Sequence, residues 1–130
     1  EVTETAMISD SARAKNVLVS LKNQGVRIAL DDFGTGYSSL ALLRSLPIDK
    51  VKVDRSFVTN MLQEKENATI VNAIVGLGRS LGLVVTAEGV EDFETARALR
   101  DIGCDYGQGY AYGKAAAFPF YGQCEAARRA

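Results

Sequence analysis

Apolar residues recur along the chain with two alternating periods. Ala14, Val17, Leu18 and Leu21 are spaced as on one face of a helix, and Gly25 stands where such a helix stops. Val26 to Leu30 is a short apolar run that predicts a buried strand ending in Asp31 and Asp32. Phe33-Gly34-Thr35-Gly36 reads as a loop. Ser38 or Ser39 can cap a short helix through Leu46, closed by Pro47. Val51-Lys52-Val53-Asp54 predicts a second strand. Ile70, Val71, Ile74, Val75, Leu77 and Leu81 lie on one face of a longer helix that Gly82 ends. Leu83 to Ala87 predicts a third strand, closing on Glu88-Gly89. Asp92 can cap the next helix, which carries Phe93, Ala96 and Leu99 and stops near Gly103. Cys104 to Gln108 reads as one more short strand, and the tail beyond Phe118 is Ala-rich and weakly patterned.

Helices and strands thus alternate, which predicts an α/β fold of parallel strands joined by right-handed crossovers. No linker or low-complexity segment interrupts the order, so the chain reads as one structural unit. Three times an apolar strand runs into a carboxylate: Asp31, Asp54 and Glu88. Strand C-termini line the site in α/β folds, so these acids are expected to converge on one face, with Glu1 as a candidate fourth. The alternative for each acid is a cap on the following helix.

Composition narrows the chemistry. The chain has 130 residues, 47% apolar, enough for one core, and a net charge of −1 with no basic cluster, which argues against a nucleic-acid polymer or an anionic membrane as partner. No apolar run is long enough to span a bilayer, and no signal-peptide pattern opens the chain. Cys104 and Cys124 are twenty positions apart without a zinc pattern and read as reduced thiols of a cytosolic protein. Histidine is absent, which removes Ser-His and Cys-His catalysis and His-held metals. The chain opens at Glu1-Val2-Thr3-Glu4 without methionine, as expected of a piece of something longer.

Carboxylates facing one pocket repel one another unless a cation intervenes. Oxygen donors without His or Cys suit Mg²⁺, Mn²⁺ or Ca²⁺ better than zinc. Adjacent aspartates can bridge and flank two ions, an arrangement suited to phosphodiester hydrolysis. Lys52 lies two residues before Asp54, on the same strand face, where a lysine is costly unless its charge is matched. It is either a cation beside the acids that positions water or phosphate, or a solvent-facing lysine paired with Asp49 or Asp54. Asp32-Phe33-Gly34 matches a kinase magnesium motif, but no Gly-rich loop or catalytic-loop signature accompanies it. Gly107-Gln108-Gly109 lacks the full spacing of a dinucleotide loop.

Four blocks, in order and spacing, resemble the EAL-domain family of cyclic di-GMP phosphodiesterases: Asp31-Asp32-Phe33-Gly34-Thr35-Gly36-Tyr37-Ser38-Ser39-Leu40, Val51-Lys52-Val53-Asp54-Arg55-Ser56-Phe57-Val58, Thr86-Ala87-Glu88-Gly89-Val90-Glu91, and Gln108-Gly109-Tyr110. The resemblance covers nearly the whole chain and fades after Lys114. It implies the C-terminal half of a TIM-type (β/α)8 barrel, and a reaction that opens cyclic di-GMP to linear pGpG. It implies two Mg²⁺ or Mn²⁺ ions, with Ca²⁺ inhibitory. Glu1 and Asp31 are the implied ligands of the first ion; Asp31, bridging, and Asp32 hold the second. Glu88 and Gln108 act largely through bound waters, Lys52 orients the attacking water, and Glu4 anchors the loop from Asp32 to Ser39. Phe33, Gly34, Thr35, Gly36, Tyr37, Ser38 and Asp54 are the implied substrate and loop positions. That loop and neighbouring helices are the implied homodimer contact.

The Glu-Ala-Leu signature, an upstream Asn ligand and the base-binding residues of the other half-barrel are not in these 130 residues. After Lys114 the chain reads Ala-Ala-Ala-Phe-Pro, where the family has a proline nearer the lysine. The resemblance therefore leaves two readings: a phosphodiesterase in the complete parent domain, or a degenerate domain that binds cyclic di-GMP or regulates a partner. The 130 residues alone are expected to be inactive and to associate with the missing half-barrel or with themselves.

Overall fold

A computed structural model describes residues 1–3, 6, 11–35 and 40–114. Five strands form one parallel sheet in sequence order: β1 (Val2–Thr3), β2 (Ala29–Phe33), β3 (Lys50–Val53), β4 (Val84–Glu88) and β5 (Tyr106–Gln108). Between them run helices α1 (Ser11–Asn23), α2 (Leu40–Ser45), α3 (Arg55–Val58), α4 (Lys65–Ser80) and α5 (Phe93–Asp101). Every pair of sequential strands is adjacent and parallel, which is the arrangement a barrel wall requires.

Three helices stop in the same way, at the glycines that the periodicity singled out. Gly25, Gly82 and Gly103 take φ of 83°, 69° and 87°. The next residue's N–H then reaches back five positions: Val26 to the Leu21 carbonyl, Leu83 to Gly78 and Cys104 to Leu99. This left-handed stop satisfies carbonyls that the helix end leaves open. It also explains three late strand starts. Val26, Leu83 and Cys104 serve the helix stops, so β2 begins at Ala29, β4 at Val84 and β5 at Tyr106 rather than at Val26, Leu83 and Cys104.

The core lies between the sheet's outer face and the helices. Leu30, Val51, Val53, Val85 and Ala87 are buried against Val58, Val71, Val75 and Leu99. Gly78 lets α4 press close to β4, since a Cβ there would sit 2.3 Å from Val85 Cγ2. Asp92 caps α5 as expected, accepting from the Thr95 N–H at 2.7 Å and from its hydroxyl at 2.9 Å. Two elements lie outside the sequence expectation: the short strand β1 and the single turn α3, whose Val58 is fully buried. Asp54 followed by Phe57, Val58 and Met61 was the available signal for α3. The proposed serine cap of α2 and Cys124 lie outside the described residues.

Candidate metal centre

Adjacent residues of a regular strand face opposite sides, so Asp31 and Asp32 in an unbroken β2 would point apart. The ladder prevents this. Leu30 pairs with Val51 and Phe33 with Val53, so three steps on β2 match two on β3. Asp32 occupies the bulge with φ 54°, alone among the described non-glycine residues in having a positive φ. A bulge re-aims side chains, and here it turns two neighbours toward one point. Oxygens of Asp31, Asp32 and Glu88 come within 4.8 Å of one another. Asp31 and Asp32 therefore do not end the strand, as the apolar run predicted; they lie within it, and Phe33, read as loop, is its last residue and is buried in the core. Left-handed backbone at a non-glycine residue costs about 1–2 kcal/mol, which the packing around β2 must offset.

Lys52 stands at the centre of this cluster. Its side chain is 7% exposed, and Nζ lies 2.6 Å from Glu88 Oε1, 3.1 Å from Asp31 Oδ1 and 3.1 Å from Glu1 Oε2. Burial pulls the ammonium's pKa down, but hydrogen bonds to Glu88, Glu1 and Asp31 outweigh it and hold it above the ordinary lysine value. The solvent-facing alternative is thus overturned. Asp49 is taken by Lys22 and the Ile28 N–H, and Asp54 by its own helix.

The predicted residues separate into groups. Asp31, Asp32, Glu88 and Lys52 are brought together. Glu1 precedes β1, whose Thr3 is the partner of Asp31, and reaches the cluster through Lys52 rather than joining the carboxylate trio. Gln108 is the register partner of Glu88 at the end of β5. Asp54 follows the capping alternative: it accepts from the Ser56 N–H at 2.9 Å at the start of α3. Burial raises its pKa, but the Ser56 and Arg55 hydrogen bonds prevail and hold it below the usual range. Phe33, Gly34 and Thr35 open the loop. Thr35 donates to the Asp32 carbonyl, and Gly34 (φ 102°) is so close to Phe57 and Ile74 that a Cβ would lie 3.1 Å from each. Glu4, Gly36, Tyr37, Ser38 and Ser39 lie outside the described residues. Sequence reasoning passed over Thr86, a buried residue on the site face of β4, although its place two residues before Glu88 marks that face.

A carboxylate trio beside a buried ammonium fits divalent cations with hard oxygen ligands, and no described His or Cys enters the cluster. Residues 1–115 match the model of the EAL domain. The chain belongs to the EAL family. It is 52% identical over 116 residues to an uncharacterized signaling protein of Caulobacter vibrioides, covering 89% of this chain and 14% of that protein. It is 43% identical over 114 residues to the bifunctional diguanylate cyclase/cyclic di-GMP phosphodiesterase MucR of Pseudomonas aeruginosa, covering 88% and 17%. Among solved structures, the PaMucR phosphodiesterase in complex with c-di-GMP superposes with a TM-score of 0.83 at 42% identity, over 87% of this chain and 46% of that one. The Klebsiella pneumoniae BlrP1 complexes with cy-diGMP and manganese or calcium superpose with a TM-score of 0.80 at 37% identity, over 87% and 29%. The EAL segment thus spans a small part of its curated relatives and about half of a solved EAL chain. Its sheet is part of a TIM barrel wall.

Proposed function

We propose that this segment is the C-terminal half of an EAL barrel that, when complete, hydrolyses one phosphodiester of cyclic di-GMP to give linear pGpG. The observation that carries the reading is the convergence of Asp31, Asp32 and Glu88 around a buried Lys52 at one end of the sheet. Asp31, Asp32 and Glu88 would hold two Mg²⁺ or Mn²⁺ ions, with Glu1 and Gln108 beside them. When bound, the ions would neutralise phosphate charge and make water a better nucleophile.

The remaining work belongs to this chain's side chains. Lys52 offers N–H donors, so it would orient a water or a phosphate oxygen. In this structure Glu88, Asp31 and Glu1 receive the ammonium's three donors. Gly34 seats the loop that follows Asp32 on Phe57 and Ile74, which ties the site to α3 and α4. The same loop and α4 are the surface we assign to a homodimer. The missing half-barrel completes the pocket and covers β1 and β5, and the isolated segment should be inactive. Ca²⁺ is expected to bind without supporting turnover, since it tolerates irregular coordination. The free Cys104 thiol accords with a cytoplasmic setting.

The test is cyclic di-GMP turnover by the complete barrel with Mg²⁺, Mn²⁺ or Ca²⁺, with pGpG separated from substrate by chromatography. Tight binding of cyclic di-GMP without pGpG formation in any metal would replace this reading with a receptor.

A further inference from the structure

Among the described residues, one buried side-chain polar atom lacks a hydrogen-bond partner, the Thr86 hydroxyl. Thr86 is 6% exposed, and an unpaired buried hydroxyl is a liability that a valine of the same shape would remove. Its place in the sheet is specific. Thr86 is the register partner of Lys52 on the neighbouring strand, and it lies two residues before Glu88 on the same strand face. The unsatisfied hydroxyl therefore borders the one buried cation of the site.

The charge arithmetic of that cation suggests what the hydroxyl is for. An ammonium has three donors and no acceptor. In the structure Lys52 directs them at Glu88, Asp31 and Glu1. Cations held by Asp31 and Glu88 would compete for the same carboxylate lone pairs and would repel the ammonium. Lys52 then needs a neutral acceptor, or it must remain on the carboxylates and oppose metal binding. We propose that Thr86 is a positioning residue for Lys52: its hydroxyl, directly or through one water, accepts an ammonium N–H when divalent cations occupy the carboxylates. This inference deepens the two-metal reading above and rests on it.

The test compares wild type, Thr86→Val and Thr86→Ser in the complete EAL barrel, with Mn²⁺ itself as the probe. Mn²⁺ affinity is measured by calorimetry, and the melting temperature is measured without metal. For Thr86→Val we expect an unchanged or raised metal-free melting temperature and roughly tenfold weaker Mn²⁺ binding, the scale of one charge-assisted hydrogen bond. Its kcat on cyclic di-GMP should fall with little change in KM, and Thr86→Ser should restore both affinity and kcat. Wild-type Mn²⁺ affinity in Thr86→Val would overturn the proposal. So would a metal-free melting temperature that drops in the valine variant and recovers with serine, because the hydroxyl would then have a structural bond. A barrel that binds Mn²⁺ but leaves cyclic di-GMP intact would end the phosphodiesterase reading, and the Mn²⁺ comparison would still decide the role of Thr86.

Discussion

The two ends of the sheet use aspartate in opposite ways. At the end where strands begin, Asp49 accepts the Ile28 N–H at 2.7 Å and pairs with Lys22. Asp105 repeats the device one strand pair further on, accepting the Val85 N–H at 2.8 Å. Each acid immediately precedes a strand and caps the neighbouring strand one residue before the register partner. These acids are satisfied by a backbone donor. At the opposite end Asp31, Asp32 and Glu88 crowd one another, and among the described residues only Lys52 offsets the charge. The contrast separates acids that hold the sheet together from acids whose mutual repulsion calls for a further cation. That division matches the general one in barrels, where chemistry sits at the C-terminal strand ends and stability at the other face.

The contrast can be broken first at the crowded end. Asp31→Asn in the complete barrel should cost about 10²–10³-fold in turnover, the scale of losing one preorganised charge at a reacting centre, together with Mn²⁺ binding. Near-normal turnover would dissolve the distinction. Next, Lys52→Met should leave Glu1, Asp31 and Glu88 without their cation. The metal-free barrel should lose about 2 kcal/mol or more, and Mn²⁺ should recover that stability because it replaces the missing charge. A melting curve that falls and does not respond to Mn²⁺ would argue against a cation site.

The satisfied end should behave differently. Asp49→Ala should lower stability by about 1–2 kcal/mol and leave kcat unchanged, since Ile28 and Lys22 lose a charged acceptor far from the chemistry. Hydrogen bonds from Lys22 and Ile28 hold the Asp49 carboxyl below its usual range, against a smaller opposing effect of burial. A depressed folded pKa adds stability above the unfolded value of about 3.9, and this is lost as pH falls through the folded value. Acid unfolding of the Asp49→Ala variant should therefore have a shallower slope below about pH 4; an unchanged slope would remove Asp49 from the account. The smallest effect is expected from Asp92→Ala, about 1 kcal/mol by melting, from loss of the α5 cap. Hydrogen bonds from the Thr95 backbone and hydroxyl depress the Asp92 pKa too, so its contribution also fades below about pH 4.

Much of this was legible along the chain because local physics decides it. Helical spacing marked α1, α4 and α5, three glycines marked their ends, and Asp92 marked a cap that forms as expected. The alternation of helix and strand announced a parallel sheet, and the acids of β2 and β4 announced the site. Asp54 resembled those acids in sequence yet caps α3, because a carboxylate after an apolar strand fits either role until the backbone beyond it is known. Asp49 was read only as a possible partner of Lys52, and Asp105 was silent, since their backbone donors lie about twenty residues away.

What the 130 residues determined by themselves is every element but β1 and α3, the residue types able to hold divalent cations, and the family. Tertiary structure alone decided how two adjacent aspartates face one centre. Strand periodicity opposes it, and only the mismatch between β2 and β3, with Asp32 left-handed in the bulge, reverses that rule. It also decided that Lys52 meets Glu1, Asp31 and Glu88, and that Thr86 is left beside it without a partner. These relations join strands distant in sequence, and register, burial and charge acquire values only once the sheet is assembled.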